Sequence, residues 1–246
     1  MTRKIDIAGL RCKVAPCPGS FRIAYMLYPM DLPSEWMLRS ARHYDVNIVA
    51  ISGMDWDNDL TPWPAAGVPQ GEPAFKGEAD SFLELVRRQV VPRVESALEL
   101  PPESFAPDKE DRETTDAECL TKEHEPAVTR TLIGVSLSGL FTLWQWTRCD
   151  TFDNIACLSG SFWYDGFADW ITSRKMPVKT GRAFFLLGER ESHTRVKTFQ
   201  TVRTDTDRII AYLRQCGINL TYRLVPGDHY ASPIPRLEAA FTYLFG

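Results

Sequence analysis

The chain has 246 residues, 44% of them hydrophobic and 24% charged, with a net charge of −4 near neutral pH. That length and apolar content suffice to bury one sizeable core, so a single domain spanning residues 1–246 is expected. The acidic balance gives no electrostatic footprint for nucleic acid, no apolar run approaches the roughly 18 to 20 residues that cross a bilayer, and the start Met1-Thr-Arg-Lys-Ile-Asp lacks an apolar leader stretch. The expectation is a cytoplasmic protein with neither a nucleic-acid nor a membrane partner.

Taken in chain order, apolar runs predict strands over 21–28 and 46–51. Residues 79–98 read as a helix with Phe82, Leu85, Val86, Val90 and Val94 on one face, kinked or broken at Pro92. Strand 131–135 and helix 137–147 follow, then strands 155–158 and 183–187, a helix over about 201–215, strand 219–225 and a closing helix from about Pro235. This alternation predicts an α/β architecture, a doubly wound and mostly parallel sheet with helices on both faces. Between the first helix and strand 131–135, the segment Pro101–Pro126 carries nine acidic and three basic residues with no apolar periodicity, and reads as a solvated loop or mobile insertion. Its charge of −6 leaves the remainder near +2, so the overall acidity says little about any site. The six cysteines (Cys12, Cys17, Cys119, Cys149, Cys157, Cys216) are scattered without a C-x-x-C pair and read as reduced thiols, with only the Cys12 and Cys17 pair left open.

The stretch Thr131-Leu-Ile-Gly134-Val135-Ser136-Leu137-Ser138-Gly139-Leu140-Phe141 places a serine between a buried strand and an apolar helix. Small residues at Gly134 and Ser138 permit the sharp strand-to-helix turn on which a nucleophilic hydroxyl projects. The pattern is G-x-S-x-S followed by Gly139 rather than G-x-S-x-G, a mild steric departure. Ser136 fits the turn better than Ser138, which starts too late on the strand. The plainer alternative is a helix N-cap serine on a glycine-rich turn. An acid and a base in the order Ser, Asp/Glu, His argue against that alternative. Gly188-Glu189-Arg190-Glu191 ends strand 183–187, and Pro226-Gly227-Asp228-His229-Tyr230 ends strand 219–225. Of four histidines only His229 follows both a strand end and a glycine turn; His43, His124 and His193 read as surface residues.

These residues resemble the esterase family of α/β-hydrolases that includes esterase D and the enterochelin esterases. The likeness spans most of the chain. It rests on Gly134-Val-Ser-Leu-Ser-Gly-Leu-Phe141, Leu158-Ser-Gly-Ser-Phe-Trp-Tyr-Asp-Gly166, Asp59-Leu-Thr-Pro62, Gly188-Glu-Arg-Glu191 and Gly227-Asp-His-Tyr230, in that family's order. The resemblance implies an α/β-hydrolase fold and a metal-independent serine esterase that needs no cofactor. Ser136 would be the nucleophile and His229 the base. It implies Glu191 over Glu189 as the acid, since family members tend to place the acid three residues after this glycine; some members resemble a serine-histidine dyad. The oxyanion hole is expected at the backbone N–H of Leu137 and a second N–H from the loop after strand 21–28. Pro29 has none to give, which points to Met30 or else Asp31, where the chain departs from relatives carrying Asp-Gly-Asn. Family members act on siderophore, thiol or other small esters, and some relatives transfer acyl groups.

Trp56, Trp63, Phe162 and Trp163 follow strand ends and are candidate pocket walls, with packing against the core as the alternative. Asp55, Asp57 and Asp59 with Asn58 suggest a polar turn rather than a metal site, since no glutamate stands at the spacing a calcium loop requires. The chain therefore reads as a serine ester hydrolase with a small-molecule ester substrate. An acyltransferase on the same residues and a non-catalytic binding protein that has kept the fold are the alternatives.

Overall fold

The computed structural model describes residues 1–100 and 127–246. The acidic segment Pro101–Pro126, with Cys119 and His124, lies outside them. In chain order the elements are β1 (Arg3–Ile7), β2 (Leu10–Ala15), β3 (Arg22–Leu27), α1 (Ser34–Tyr44), β4 (Asn47–Ser52), α2 (Ala79–Leu85) and α3 (Val91–Ala97). They continue with β5 (Thr129–Val135), α4 (Leu137–Trp146), β6 (Asn154–Leu158), α5 (Phe167–Thr172) and β7 (Arg182–Gly188). The last are α6 (Lys197–Gln200), α7 (Val202–Gln215), β8 (Asn219–Val225) and α8 (Pro233–Phe245). The strands form one sheet in the order β1-β2-β4-β3-β5-β6-β7-β8. β2 runs antiparallel to both β1 and β4, and every later neighbour is parallel.

The central strands are apolar on both faces because both faces are covered. In β3, Ile23, Tyr25 and Leu27 enter the core beneath α2, α3, α4, α5 and α7, whereas Ala24 and Met26 enter the core beneath α1 and α8. The same period of two divides Val49 from Ile48 in β4 and Phe185 from Phe184 in β7. All three strands end at one edge of the sheet, where the loops carrying the polar motifs emerge.

Two features go beyond the sequence expectation. In helix 79–98 the interruption at Pro92 takes the form of a π-helical turn over Val86–Val90 that joins α2 to α3, with the Val91 N–H bonded to the Val86 carbonyl. The wider turn absorbs the missing donor and the ring of Pro92, which falls in the first turn of α3 where a proline is tolerated. The β1–β2 hairpin was not foreseen. Its turn is made by Ala8 at φ 49° and Gly9 at φ 87°, without an Asn-Gly or Asp-Gly signal, and β1 is mostly exposed. Cys12 is buried within β2, and all five described cysteines are free thiols.

At the edge of the sheet away from those loops, Arg130 at the start of β5 forms a bidentate pair with Glu95 of α3, at 2.6 and 2.8 Å. Their side chains are 10% and 5% exposed, and the Tyr25 hydroxyl donates to the same carboxylate at 3.2 Å. Burial, aided by the Glu95 charge, holds the Tyr25 phenol well above its ordinary pKa and therefore protonated. Breaking a buried pair strands an uncompensated charge. Glu95→Ala is expected to lower unfolding free energy in urea by about 3–5 kcal/mol; a loss below about 1 kcal/mol, the range of an exposed pair, would contradict the role given to it.

Candidate active site

Ser136 joins β5 to α4 at φ 56° and ψ −124°, a backbone region a non-glycine residue enters at a cost of about 1–3 kcal/mol. Neighbours fix that turn. The Ser136 N–H donates to the Leu158 carbonyl at 3.1 Å, and its carbonyl accepts from the Ser161 N–H at 2.9 Å. Gly134 is obligatory, because a Cβ there would stand 2.1 Å from the Ser138 carbonyl oxygen. Ser138, in place of the usual glycine, is fully buried: its Oγ accepts from the Val135 N–H at 2.7 Å and lies 2.8 Å from the Leu27 and Val135 carbonyls, to which it can donate. The unconventional serine thus ties the turn to the end of β3 and is unavailable as a nucleophile.

Ser136 Oγ lies 3.1 Å from His229 Nε2, and His229 Nδ1 lies 3.0 Å from Glu191 Oε2. Ser161 Oγ is a second neighbour of Ser136 Oγ, at 3.2 Å. His229 comes from the loop after β8 and Glu191 from the loop after β7, so three strand ends converge. Between the two sequence candidates for the acid, Glu189 is exposed and Glu191 buried. The other oxygen of Glu191 accepts from the Ser159 hydroxyl at 2.6 Å, the Gly188 N–H at 2.7 Å and Arg236 Nη1 at 3.2 Å. Gly188 makes room for this: a Cβ there would lie 2.9 Å from both Glu191 Oε1 and Arg236 Nη2. Burial alone would raise the Glu191 pKa, but the hydrogen bonds of His229, Ser159 and Gly188 outweigh it and hold the carboxyl below its ordinary value.

A cavity of about 490 Å³ opens over Ser136 and His229. Trp163 lines it, with its ring centroid 4.6 Å from that of Phe199. The other three expected wall residues lie elsewhere. Phe162 is 2% exposed and stacks on Phe167 in the core. Trp63 stacks on Phe167 as well and donates Nε1–H to the Asp165 carbonyl at 2.9 Å, while Trp56 is half-buried against the same core. Their positions after strand ends are real, but the loops fold back and spend the rings on packing. The walls that sequence reasoning missed are Val196, Phe199 and Val202, which belong to the loop and helices after β7. His193 lines the mouth and His43 is exposed on α1.

Leu137 opens α4, and Met30 is exposed in the loop after β3. Lys13 fastens that loop through Asp31 at 2.9 Å and the Leu32 carbonyl at 2.6 Å. Asp55 and Asp59 turn inward on their own loop: Asp59 accepts the Asp55 N–H at 2.8 Å, and Asp55 accepts the Asn58 amide at 2.8 Å. Among the described residues no cluster of metal-ligating side chains occurs, and no helix is long and apolar enough to cross a membrane.

No family model matches the chain. Among solved structures, it superposes over its whole length on an IroE-like serine hydrolase from Shewanella oneidensis, with a TM-score of 0.74, 15% identity and 79% of that chain covered. The chain has an α/β-hydrolase fold. Siderophore hydrolase EstB from Aspergillus nidulans matches with a TM-score of 0.67 and 16% identity, and the enterobactin and salmochelin hydrolase IroE with 0.68 and 18%, each over 100% of this chain and 94% of theirs. In sequence, the uncharacterized protein YbbA of Bacillus subtilis (strain 168) is 24% identical over 173 residues. That match takes in 69% of this chain and 60% of the relative.

Because the Glu191 carboxyl titrates lower in the folded chain than in the unfolded one, its contribution to stability is complete above the unfolded value of about 4.3 and is lost as pH falls through the lower folded value. Glu191→Gln cannot ionise. It is expected to melt below the wild type near neutral pH, with the gap closing below about pH 4; a gap that stays constant down to about pH 3 would contradict the assignment.

Proposed function

We propose that the chain is a serine carboxylic ester hydrolase with Ser136 as nucleophile, His229 as general base and Glu191 as the acid that orients it. The observation that carries this reading is the unbroken chain of contacts at 3.1 and 3.0 Å running from a hydroxyl on a strained strand-to-helix turn, through an imidazole, to a buried carboxylate. His229 Nε2 takes the Ser136 proton as Oγ bonds to the ester carbonyl carbon, then returns it to the alcohol as the C–O bond breaks. Water then gives a proton to His229 Nε2 as it bonds to the acyl carbon; the bond from that carbon to Ser136 Oγ breaks, Oγ takes the proton back, and the carboxylic acid product leaves. Charge developing on the carbonyl oxygen falls to the backbone N–H of Leu137, at the positive end of α4, and to that of Met30. Glu191 holds the imidazole with Nδ1 protonated and offsets its positive charge.

The His229 side chain is 33% exposed, so water reaches the base, which supports hydrolysis over acyl transfer. Apolar walls at Trp163, Phe199 and Val196 suit a small ester with an apolar body. The solved neighbours named as siderophore hydrolases make siderophore-type esters a class to test beside simple ones. A cytoplasmic setting belongs to the same proposal and is supported by the free thiols.

Hydrolysis of p-nitrophenyl acyl esters of increasing length tests the reading. Ser136→Ala is expected to lose at least about 10³-fold in kcat/KM. Ser138→Ala is expected to stay within about tenfold of wild type while losing about 1–2 kcal/mol of stability, because its hydroxyl bonds only backbone. Comparable losses in both variants, or none in Ser136→Ala, would overturn it.

A further inference from the structure

Arg236 lies on the buried face of α8 and is 5% exposed. Its Nη1 donates to Ser159 Oγ and, at 3.2 Å, to Glu191 Oε1, while Nη2 donates to the Asp228 carbonyl at 2.5 Å. One guanidinium therefore grips the carboxylate that faces the imidazole and the backbone immediately before the imidazole. Gly188 and Ser159 bind the same carboxylate oxygen at 2.7 and 2.6 Å, both shorter than the arginine contact. The Gly188 N–H holds Glu191 without help from Arg236; beyond its own bonds to Ser159 and the Asp228 carbonyl, Arg236 adds a guanidinium positive charge behind the carboxylate.

Resting on the Ser136, His229 and Glu191 reading, we propose that Arg236 is a positioning residue that acts through Glu191. Its charge draws negative charge from the carboxylate, weakens the hold of Glu191 on a protonated His229, and so keeps the imidazole a competent base to lower pH. In a buried site this charge is screened far less than at the surface. Other ionisable groups surround the pair. Tyr28, at the end of β3, faces Arg236. Tyr222 of β8 is within electrostatic reach of Glu191 and of Asp207 and Arg203 of α7, while Asp228, Arg190 and His193 line the cavity. Among the described residues, only His229 and Arg236 form ion pairs with Glu191.

The test is kcat/KM for p-nitrophenyl acetate against pH in wild type, Arg236→Lys, Arg236→Gln and Arg236→Met, with Ser136→Ala alongside. The two neutral variants are expected to move the acid limb of the profile up by about half to one pH unit, and the lysine variant to leave it near the wild-type position. In a Glu191→Gln background, Arg236→Gln should give no such upward movement. An unmoved or lowered acid limb in the neutral variants, an equal shift in the lysine variant, or failure of both neutral variants to fold would overturn the proposal and leave Arg236 a packing residue. Retained activity in Ser136→Ala, or an inactive wild type, would instead refute the underlying esterase reading; an inactive Ser136→Ala with an unmoved limb would refute the role of Arg236 alone.

Discussion

Everything at this site depends on holding Ser136 in a backbone conformation its side chain disfavours. A strain of about 1–3 kcal/mol persists only where surrounding contacts over-determine it. Here they do: β6 contributes the Leu158 carbonyl, the loop after it the Ser161 N–H, and β3 the Leu27 carbonyl through Ser138. Three neighbouring elements therefore set the direction of one hydroxyl. The absence of a side chain at Gly134 is as necessary as any bond, because Ser138 backbone occupies that space.

From that fixed point the sheet supplies the rest. β5, β7 and β8 are parallel and end at the same edge, so the loops bearing Ser136, Glu191 and His229 meet without any long excursion of chain. Open α/β sheets bind ligands at that edge for the same reason. α8 then returns beneath the sheet and delivers Arg236 to the back of Glu191, joining the Glu191 carboxylate, the Ser159 hydroxyl and the loop that carries His229. Cavity, hydroxyl, imidazole, carboxylate and guanidinium form one connected polar path from solvent to core.

How much of this was legible in the sequence divides along physical lines. Strands such as 21–28 and 131–135 are apolar on both faces and short, and the Gly134 to Gly139 stretch fixes a turn whose backbone demands are local, so their positions could be read directly. The order of serine, acid and histidine followed from strand ends. Glu191 could not be separated from Glu189 by residue chemistry alone: what distinguishes them is burial behind Gly188 and a partner forty-five residues away in Arg236. Of the expected cavity walls only Trp163 lines the cavity, since whether Trp63 or Phe199 faces it is decided by tertiary packing that no local pattern records. Two signals were present but unread. Arg236 stands on the same face as Ala240, and hence on the apolar stripe of α8, where a charged residue must have a buried partner. Ser159 and Ser161 sit in the Ser-Gly-Ser run directly after the end of β6.

The central claim is that Ser136 is the activated hydroxyl of this fold. The most direct measurement is covalent labelling of the intact protein with a fluorophosphonate, followed by peptide mass spectrometry to locate the adduct. One adduct per chain, on Ser136 and abolished in His229→Ala, is the predicted result. Labelling on Ser138 or Ser161 instead, or no labelling of the folded wild type, would contradict the account.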